Sequence, residues 1–265
     1  MSTRISPAVI ACTLALNSLS SGALSYSTSF ESPFTVGALP GQQTWTKGGF
    51  SNSFSVSNTA GQARTGSQFV SVNTGNFSGN GGAWSWKDTP QTAAELASQP
   101  IVTASAWVKV FSATSGATRI SKAGIDAYDA AGTDRLGAIQ LGSDGKVTLF
   151  NNSGSSASIG IVGFTFTLNT WYKVSIDFDY GAGKLRWYLN DVGINTSAIA
   201  GFDALTSTNF GHADLYAFRS ASPTGTSTGS HVLHFDDFSV VTTPAPGAIA
   251  LLGAAGLVRS RRRRS

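Results

Sequence analysis

The chain has 265 residues, of which 12% are charged, and its 18 basic and 14 acidic residues give a formal net charge of +4. Six basic residues lie near the two ends, at Arg4, Arg259 and 261–264, so the central part has 12 basic and 14 acidic residues and a net charge of −2. This balance excludes a basic nucleic-acid-binding body. The single cysteine, Cys12, is near the N-terminus, so the central part has no disulfide.

The first 25 residues have the pattern of a secretory signal peptide. Arg4 supplies the positive start, 7–16 is mostly apolar, and small residues stand at Ala23 and Ser25 where a signal peptidase would cleave. A buried first helix is the alternative, but the stretch has no polar face and no helix cap. We expect residues 1–25 to be removed by signal peptidase.

The central part, 26–242, reads as one all-β domain, since it contains no Pro-rich or charged linker. Apolar and polar residues alternate with period 2 in "WYKVSIDFD" at 171–179, and "GAG" at 181–183 supplies a turn before a second strand at 184–189. The same combination of alternation and turn residues predicts further strands at 104–111, 122–129, 135–141, 146–152, 214–221 and 231–241.

Only "TAAELASQ" at 92–99 is compatible with a helix, and it ends before Pro100. The segments between 104 and 152 are expected to form an antiparallel meander. The Gly-rich stretch 73–82 is expected to be a surface loop. Many short strands at regular spacing favour a sandwich or jelly roll.

Several of these motifs resemble the LamG-like, concanavalin A-like lectin/glucanase superfamily. They are the pair "WYKVSIDFD" and "KLRWYLNDVGI", the preceding "GAIQLGSDGKVTLF", the opening "FESPFTVGALPGQQTWT" and the closing "HFDDFSVV". The resemblance implies an antiparallel two-sheet jelly-roll sandwich over about residues 28–241. It also implies sugar or protein binding, and in some members glycoside cleavage; the fold alone does not decide among these.

The C-terminal segment, 243–265, combines three features in a fixed order. Pro244 and Pro246 come first, an apolar run at 248–258 follows, and an arginine cluster closes the chain. The cluster contains Arg259, Arg261, Arg262, Arg263 and Arg264. The apolar run, expected to be a short helix, is shorter than the roughly 20 residues that span a bilayer, so it is a marginal anchor.

This C-terminal pattern resembles a bacterial PEP-CTERM sorting signal, with Ala245 in place of the usual Glu. The resemblance implies transient membrane anchoring and cleavage by an exosortase, with the arginines kept on the cytoplasmic side. The protein is therefore expected to be exported to the cell envelope, cell surface or extracellular matrix.

No motif in the sequence indicates catalysis. Glycosidases of this fold are expected to carry Glu-x-Asp-x-x-Glu, but the chain has only Glu31 and Glu95, and neither is followed by a matching carboxylate. Asp177 and Asp179 are the nearest substitute, and a solvated strand face explains them better. We therefore predict a protein that is not an enzyme and that binds exopolysaccharide. A structural envelope protein without a glycan ligand is the alternative, and glycan cleavage is a third hypothesis.

Two groups of residues are candidates for binding. Glu31 with Asp236 and Asp237 could hold a structural Ca²⁺, because the first and last strands of such sandwiches are neighbours and calcium prefers oxygen ligands; the alternative is that they are ordinary strand-end acids. Trp84 and Trp86 would project to the same face of an extended strand and could stack on sugar rings, although large aromatic side chains are more often buried. We expect a third set, Trp107, Trp171 and Trp187, in the core.

Overall fold

The computed structural model describes residues 24–50, 53–77, 79–112, 119–151, 159–220 and 231–243. All but the first residue of the predicted sorting segment and all but the last two residues of the predicted signal peptide lie outside these ranges. Within them, no helix has the length and hydrophobicity needed to span a membrane.

Two antiparallel sheets pack face to face, which confirms the predicted all-β sandwich. With strands numbered in chain order, sheet A contains β1 (Ser25–Thr28), β2 (Gly37–Ala38), β4 (Phe54–Ser57), β5 (Phe69–Asn73), β7 (Ile101–Val110), β12 (Trp171–Asp179), β13 (Lys184–Leu189), β14 (Val192–Gly193) and β16 (Val232–Thr243). Sheet B contains β3 (Thr46–Gly49), β6 (Gly81–Trp86), β8 (Ser121–Tyr128), β9 (Arg135–Gly142), β10 (Lys146–Phe150), β11 (Ile159–Thr165) and β15 (His212–Arg219).

The strand order differs from the chain order in both sheets. Sheet A runs β14-β13-β12-β7-β16-β5-β4-β2, with β1 paired to β16, and sheet B runs β11-β10-β9-β8-β15-β6-β3. The predicted meander is correct for β8, β9 and β10, but wrong for β7, which pairs with β12 and β16 in the opposite sheet. The connection between β7 and β8 therefore crosses from one sheet to the other.

The core fills the space between the sheets with one side of each strand. On β12, Val174, Ile176 and Phe178 are fully buried, and on β13 Trp187 packs against Phe202 with ring centroids 5.1 Å apart. Trp187 Nε1 donates to the carbonyl of Ala138 on the facing sheet, so its polar atom is also satisfied. The predicted burial of Trp187 is confirmed.

Two of the predicted core tryptophans lie elsewhere. Trp107 and Trp171 are half-buried on the outer face of sheet A, where Trp107 is opposite Lys173 and Trp171 is opposite Lys109. The guanidinium of Arg64 lies 4.2 Å from the centre of the Trp107 ring. The prediction was wrong because both residues alternate with the core positions of their strands, and a cation covers the exposed Trp107 ring.

The predicted helix is present as α1, Ala93–Ser98. The hydroxyl of Thr92 accepts a hydrogen bond from the Glu95 amide, and the Glu95 carboxylate accepts one from the Thr92 amide. This capping box satisfies backbone donors at the helix start and fixes where the helix begins.

Candidate functional site

A cleft with a volume of 410 Å³ lies on the outer face of sheet B. We call it the sheet B cleft. Its lining residues come from four strands and two loops: Thr46, Trp84, Trp86, Asp88, Tyr128, Ala130, Ala131, Gly132, His212 and Asp214. The cleft thus combines an aromatic wall with titratable side chains, which is the composition of many ligand and active sites.

Strand register places two acidic residues, Asp126 and Asp214, side by side in sheet B. In sheet B, β15 lies between β6 and β8, and Asp214 is directly opposite Trp86 on one side and Asp126 on the other. Directly opposed residues point to the same face of a sheet, about 4.5–5.5 Å apart at Cβ. Two carboxyl groups therefore meet on the outer face of the sheet although they are far apart in sequence.

Both carboxyl groups of this row are buried. Asp126 is 0% exposed, and it has an ion pair with Arg135 at 2.9 Å and a hydrogen bond from Gln140 Nε2, also at 2.9 Å. Burial raises the pKa of Asp126, and the charge of Arg135 opposes this effect. We conclude that Asp126 has a compensating cation beside it.

Asp214 is also buried, and the described residues give its carboxyl group no ion pair with Lys or Arg. It is 1% exposed, and no side-chain or backbone donor in the described part of the chain makes a well-aligned hydrogen bond to its Oδ1 atom. Burial, reinforced by the negative charge of Asp126 and only partly opposed by the charge of Arg135, holds the pKa of Asp214 well above its ordinary value. The carboxyl group on the cleft floor therefore favours its protonated form more than an ordinary aspartate does.

His212 lies beside Asp214, between two aromatic rings. Its ring centroid is 5.3 Å from that of Trp86 and 5.6 Å from that of Tyr128, and the three rings are nearly parallel. Nε2 of His212 is 3.3 Å from Asp214 Oδ1, and Nδ1 is 3.8 Å from Asp88 Oδ1. Burial lowers the pKa of His212 more than the carboxylates of Asp88 and Asp129 raise it, so the imidazole is neutral at pH 7.

Trp84 and Trp86 share the outer face of β6, as the alternation predicts, and both are half-buried and not in the core. The Trp84 indole lies across Gly48 of β3, where a Cβ atom would overlap it. Trp86 is held by a hydrogen bond of 3.1 Å from its Nε1 to Asp88 Oδ1. The glycine leaves room for a ring to lie flat on the sheet, so these side chains line the cleft with aromatic faces.

The acidic residues near the two ends of the domain hold one loop, 64–68. Glu31 accepts hydrogen bonds from the amides of Ser67 and Gln68, and Asp236 accepts from the amides of Arg64 and Thr65. Burial raises the pKa of Asp236 to about 6, against these amide hydrogen bonds.

The neighbouring Asp237 has a positive φ of 46° at a bulge in β16, and it accepts a hydrogen bond from the Thr65 hydroxyl. A cavity of 580 Å³ adjoins Glu31 and Asp237. In the described ranges, no three His, Cys, Asp or Glu side chains are grouped as metal ligands. The calcium hypothesis for Glu31, Asp236 and Asp237 stays a prediction.

Sequence reasoning missed Asp126, His212 and Asp214. It sought carboxylates two residues apart on one strand, whereas the structure pairs one carboxyl from β8 with one from β15. A signal was present: "GIDAY" and "ADLYAF" each place a single Asp inside an otherwise apolar strand. A charged residue at such a position is unusual enough to mark a site.

Residues 64–236 match the family model described as "SO2946-like, C-terminal domain". The chain belongs to this family. The matched segment begins at Arg64 and ends at Asp236, and the Arg64 amide donates a hydrogen bond of 2.8 Å to the Asp236 carboxylate. The segment includes every lining residue of the sheet B cleft except Thr46. The expected sandwich fold is confirmed, and the LamG-like resemblance stays a prediction. Comparison with curated proteins found no match.

Solved structures with a similar fold include several carbohydrate-active enzymes. One is a structure from work on endo-acting O-glycanases with which members of the human gut microbiota initiate mucin breakdown. It has 11% identity and a TM-score of 0.50, and the match covers 82% of this chain and 98% of the other. A carbohydrate esterase from the Shiga toxin-encoding bacteriophage phi24B has 15% identity and a TM-score of 0.49, covering 84% and 100%. An alginate lyase from Corynebacterium sp. has 14% identity and a TM-score of 0.47, covering 66% and 77%.

The prediction that the protein is not an enzyme is contradicted by these neighbours, which include alginate lyases. It rested on the absence of a one-strand carboxylate motif, whereas the structure pairs the carboxyl groups of Asp126 and Asp214 across two strands. At these identities the likeness describes the fold alone, so function has to be argued from the cleft.

Proposed function

We propose that this protein is an enzyme that acts on an extracellular polysaccharide in the sheet B cleft. The observation that carries the proposal is the contact of 3.3 Å between the buried carboxyl group of Asp214 and the imidazole of His212 on the floor of an aromatic cleft. Strongly shifted pKa values of this kind cluster at functional sites.

The two side chains provide complementary proton chemistry. Asp214 holds a proton that it can give to a leaving oxygen, and His212 has a lone pair that can receive a proton from the attacking group. Their protonation states follow from burial, which raises the pKa of Asp214 and lowers that of His212. The nearby Tyr128 ring limits the access of water to the imidazole.

The aromatic wall would bind the sugar chain. Trp84 and Trp86 present ring faces along one strand, and the C–H groups of a pyranose pack on such faces. Asp88 at the rim, whose side chain is 73% exposed, accepts a hydrogen bond from Trp86 and offers a second oxygen to sugar hydroxyls. Successive sugar units would therefore lie across β6 and reach the Asp214–His212 pair.

Purified protein incubated with a panel of acidic and neutral bacterial polysaccharides tests this proposal, with product release measured by chromatography. Asp214→Asn and His212→Ala should each lower kcat about 100-fold or more, as expected for loss of a proton-transferring group. Trp86→Ala should mainly raise KM. Asp191→Asn, at an exposed acid far from the cleft, is the control. Unchanged turnover in both Asp214 and His212 variants would refute the assignment.

We also propose that the chain is exported and sorted by an exosortase at the Pro244–Pro246 segment. The support is the order of prolines, apolar run and arginine cluster in 243–265. The intact mass of protein recovered from the native envelope tests it. We expect a mass without Arg259 and 261–264, and a mass that includes Ser265 would contradict processing.

A further inference from the structure

A second cavity, of 350 Å³, lies on the outer face of sheet A, on the side of the sandwich opposite the sheet B cleft. Its wall is aromatic. The His234 ring centroid is 4.3 Å from that of Phe69, and 4.5 Å from that of Phe111 in an edge-to-face arrangement. We call this cavity the His234 pocket. It shares no residue with the sheet B cleft.

Two polar atoms of the pocket residues are buried without a partner among the described residues: Nδ1 of His234 and Oε1 of Gln62. His234 itself is only 5% exposed. A buried polar group without a hydrogen bond lowers stability, so folded proteins rarely keep one. Two such atoms in one pocket indicate that a ligand supplies the missing hydrogen bonds.

The rest of the lining defines which ligand fits. Hydroxyl groups of Ser57, Thr59 and Ser71 surround the aromatic wall. His234 is neutral at pH 7, because burial and the charge of Lys109 lower its pKa to about 3. The described lining residues therefore carry no formal charge, in contrast to the sheet B cleft with Asp88 and Asp214.

We propose that the His234 pocket binds a pyranose unit of a neutral glycan. The C–H face of the ring would pack on the half-buried Phe111, because Phe69 is only 1% exposed and lies beneath His234, and its hydroxyl groups would pair with the serine and threonine hydroxyls. A sugar hydroxyl both donates and accepts, so it can satisfy His234 Nδ1 and Gln62 Oε1 once the half-buried Gln62 side chain turns. This site does not depend on the function proposed for the sheet B cleft.

Titration calorimetry of the full chain tests the pocket with four probes: neutral hexasaccharides of glucose, of galactose and of mannose, and toluene as an apolar molecule without hydroxyls. At least one hexasaccharide should bind at millimolar concentration or below. Gln62→Ala and Ser71→Ala should each weaken its binding about tenfold, the effect of losing about 1.4 kcal/mol. Neither residue is in the core, so both variants should fold.

Matched variants separate this pocket from the sheet B cleft. Trp84→Ala should leave hexasaccharide binding unchanged, and Gln62→Ala should leave turnover of polysaccharide in the cleft unchanged. Binding that Trp84→Ala abolishes and Gln62→Ala spares would place the sugar in the cleft and overturn the proposal. Binding of toluene alone, or of no probe, would also overturn it.

Discussion

At the level of single residues, burial of the Asp214 carboxyl group makes the stability of the fold depend on pH. A carboxyl whose pKa is raised on folding contributes stability that is full below its unfolded pKa of about 3.9 and is lost as pH rises through the folded pKa. At neutral and alkaline pH the fold therefore bears the cost of keeping this group buried. The adjacent Asp126 also has a raised pKa, and the charge of Arg135 opposes the shift of both carboxyl groups.

We predict that Asp214→Asn is more stable than the wild type at pH 8, and that this advantage shrinks towards pH 4. Asparagine is neutral at every pH, so it removes the cost of deprotonating a buried group. Urea unfolding at both pH values measures the difference. Asp191→Asn, at an exposed acid outside the cleft, is the control for removing a carboxylate. An equal effect at both pH values would mean that Asp214 has an ordinary pKa.

We predict that Trp187→Ala lowers the free energy of unfolding by about 3–5 kcal/mol, the usual cost of removing a buried aromatic ring. Trp187 is 1% exposed and lies between the sheets, where it also donates to Ala138. Val192→Ala, at a side chain that is 59% exposed, should change stability by less than about 0.5 kcal/mol. Denaturant unfolding measures both, and similar small losses would place Trp187 at the surface.

These residues show what sequence patterns determine. The burial of Trp187 follows from alternation along a single strand, which is a local property of the chain. The approach of Asp214 to Asp126 depends on β15 pairing with β8, a choice among many possible strand neighbours. Alternation therefore predicted the burial of Trp187 correctly and that of Trp107 and Trp171 wrongly, and it did not predict which residues meet at the cleft.

At the level of elements, local chemistry fixed the ends of helices and strands. The helix is where the capping box of Thr92 and Glu95 and the following Pro100 place it, and β12 spans Trp171–Asp179 as the alternation predicts. The sheet to which β7 belongs could not be read from its sequence, because an apolar strand satisfies either sheet of a sandwich. Connections between sheets are set by packing over long distances in the chain.

The edge strand β3 contributes to the cleft through a glycine. We predict that Gly48→Ala displaces the Trp84 indole while the domain stays folded. Weaker binding should follow, seen as a rise of about tenfold in KM or in the dissociation constant for the polysaccharide. The cause is steric, because a Cβ atom at Gly48 overlaps the indole ring. Gly79→Ala is the matched control, since a Cβ there meets no atom within 4 Å. Equal binding by both variants would show that Trp84 does not contact the ligand.

At the level of the whole molecule, the two proposed sites differ in the acidic residues of their linings. The sheet B cleft has Asp88 and Asp214 in its lining, whereas the described lining of the His234 pocket is neutral. The two proposed sites face opposite directions, so one segment of a polysaccharide can lie on sheet A while another segment lies on sheet B.

Asp236 and His234 are buried residues whose pKa values shift in opposite directions on folding, and both should make the stability of the whole domain depend on pH. Asp236 has its pKa raised to about 6, so its stabilising contribution grows as pH falls from 6 towards 4. His234 has its pKa lowered to about 3 from 6.5, so its contribution is full above pH 6.5 and is lost as pH falls towards 3. The two effects oppose each other between pH 4 and 6, each worth up to a few kcal/mol at about 1.4 kcal/mol per pKa unit.

We therefore predict that two single variants change the pH dependence of the free energy of unfolding in opposite directions. His234→Phe keeps an aromatic ring against Phe69 and Phe111 but cannot be protonated, so its stability relative to the wild type should rise as pH falls from 6.5 to 4. Asp236→Asn should fall relative to the wild type over the same range, in addition to a constant loss from its hydrogen bonds with Arg64 and Thr65. Urea unfolding at half-unit pH steps measures the slopes. Three parallel profiles would mean that neither group titrates on unfolding in this range.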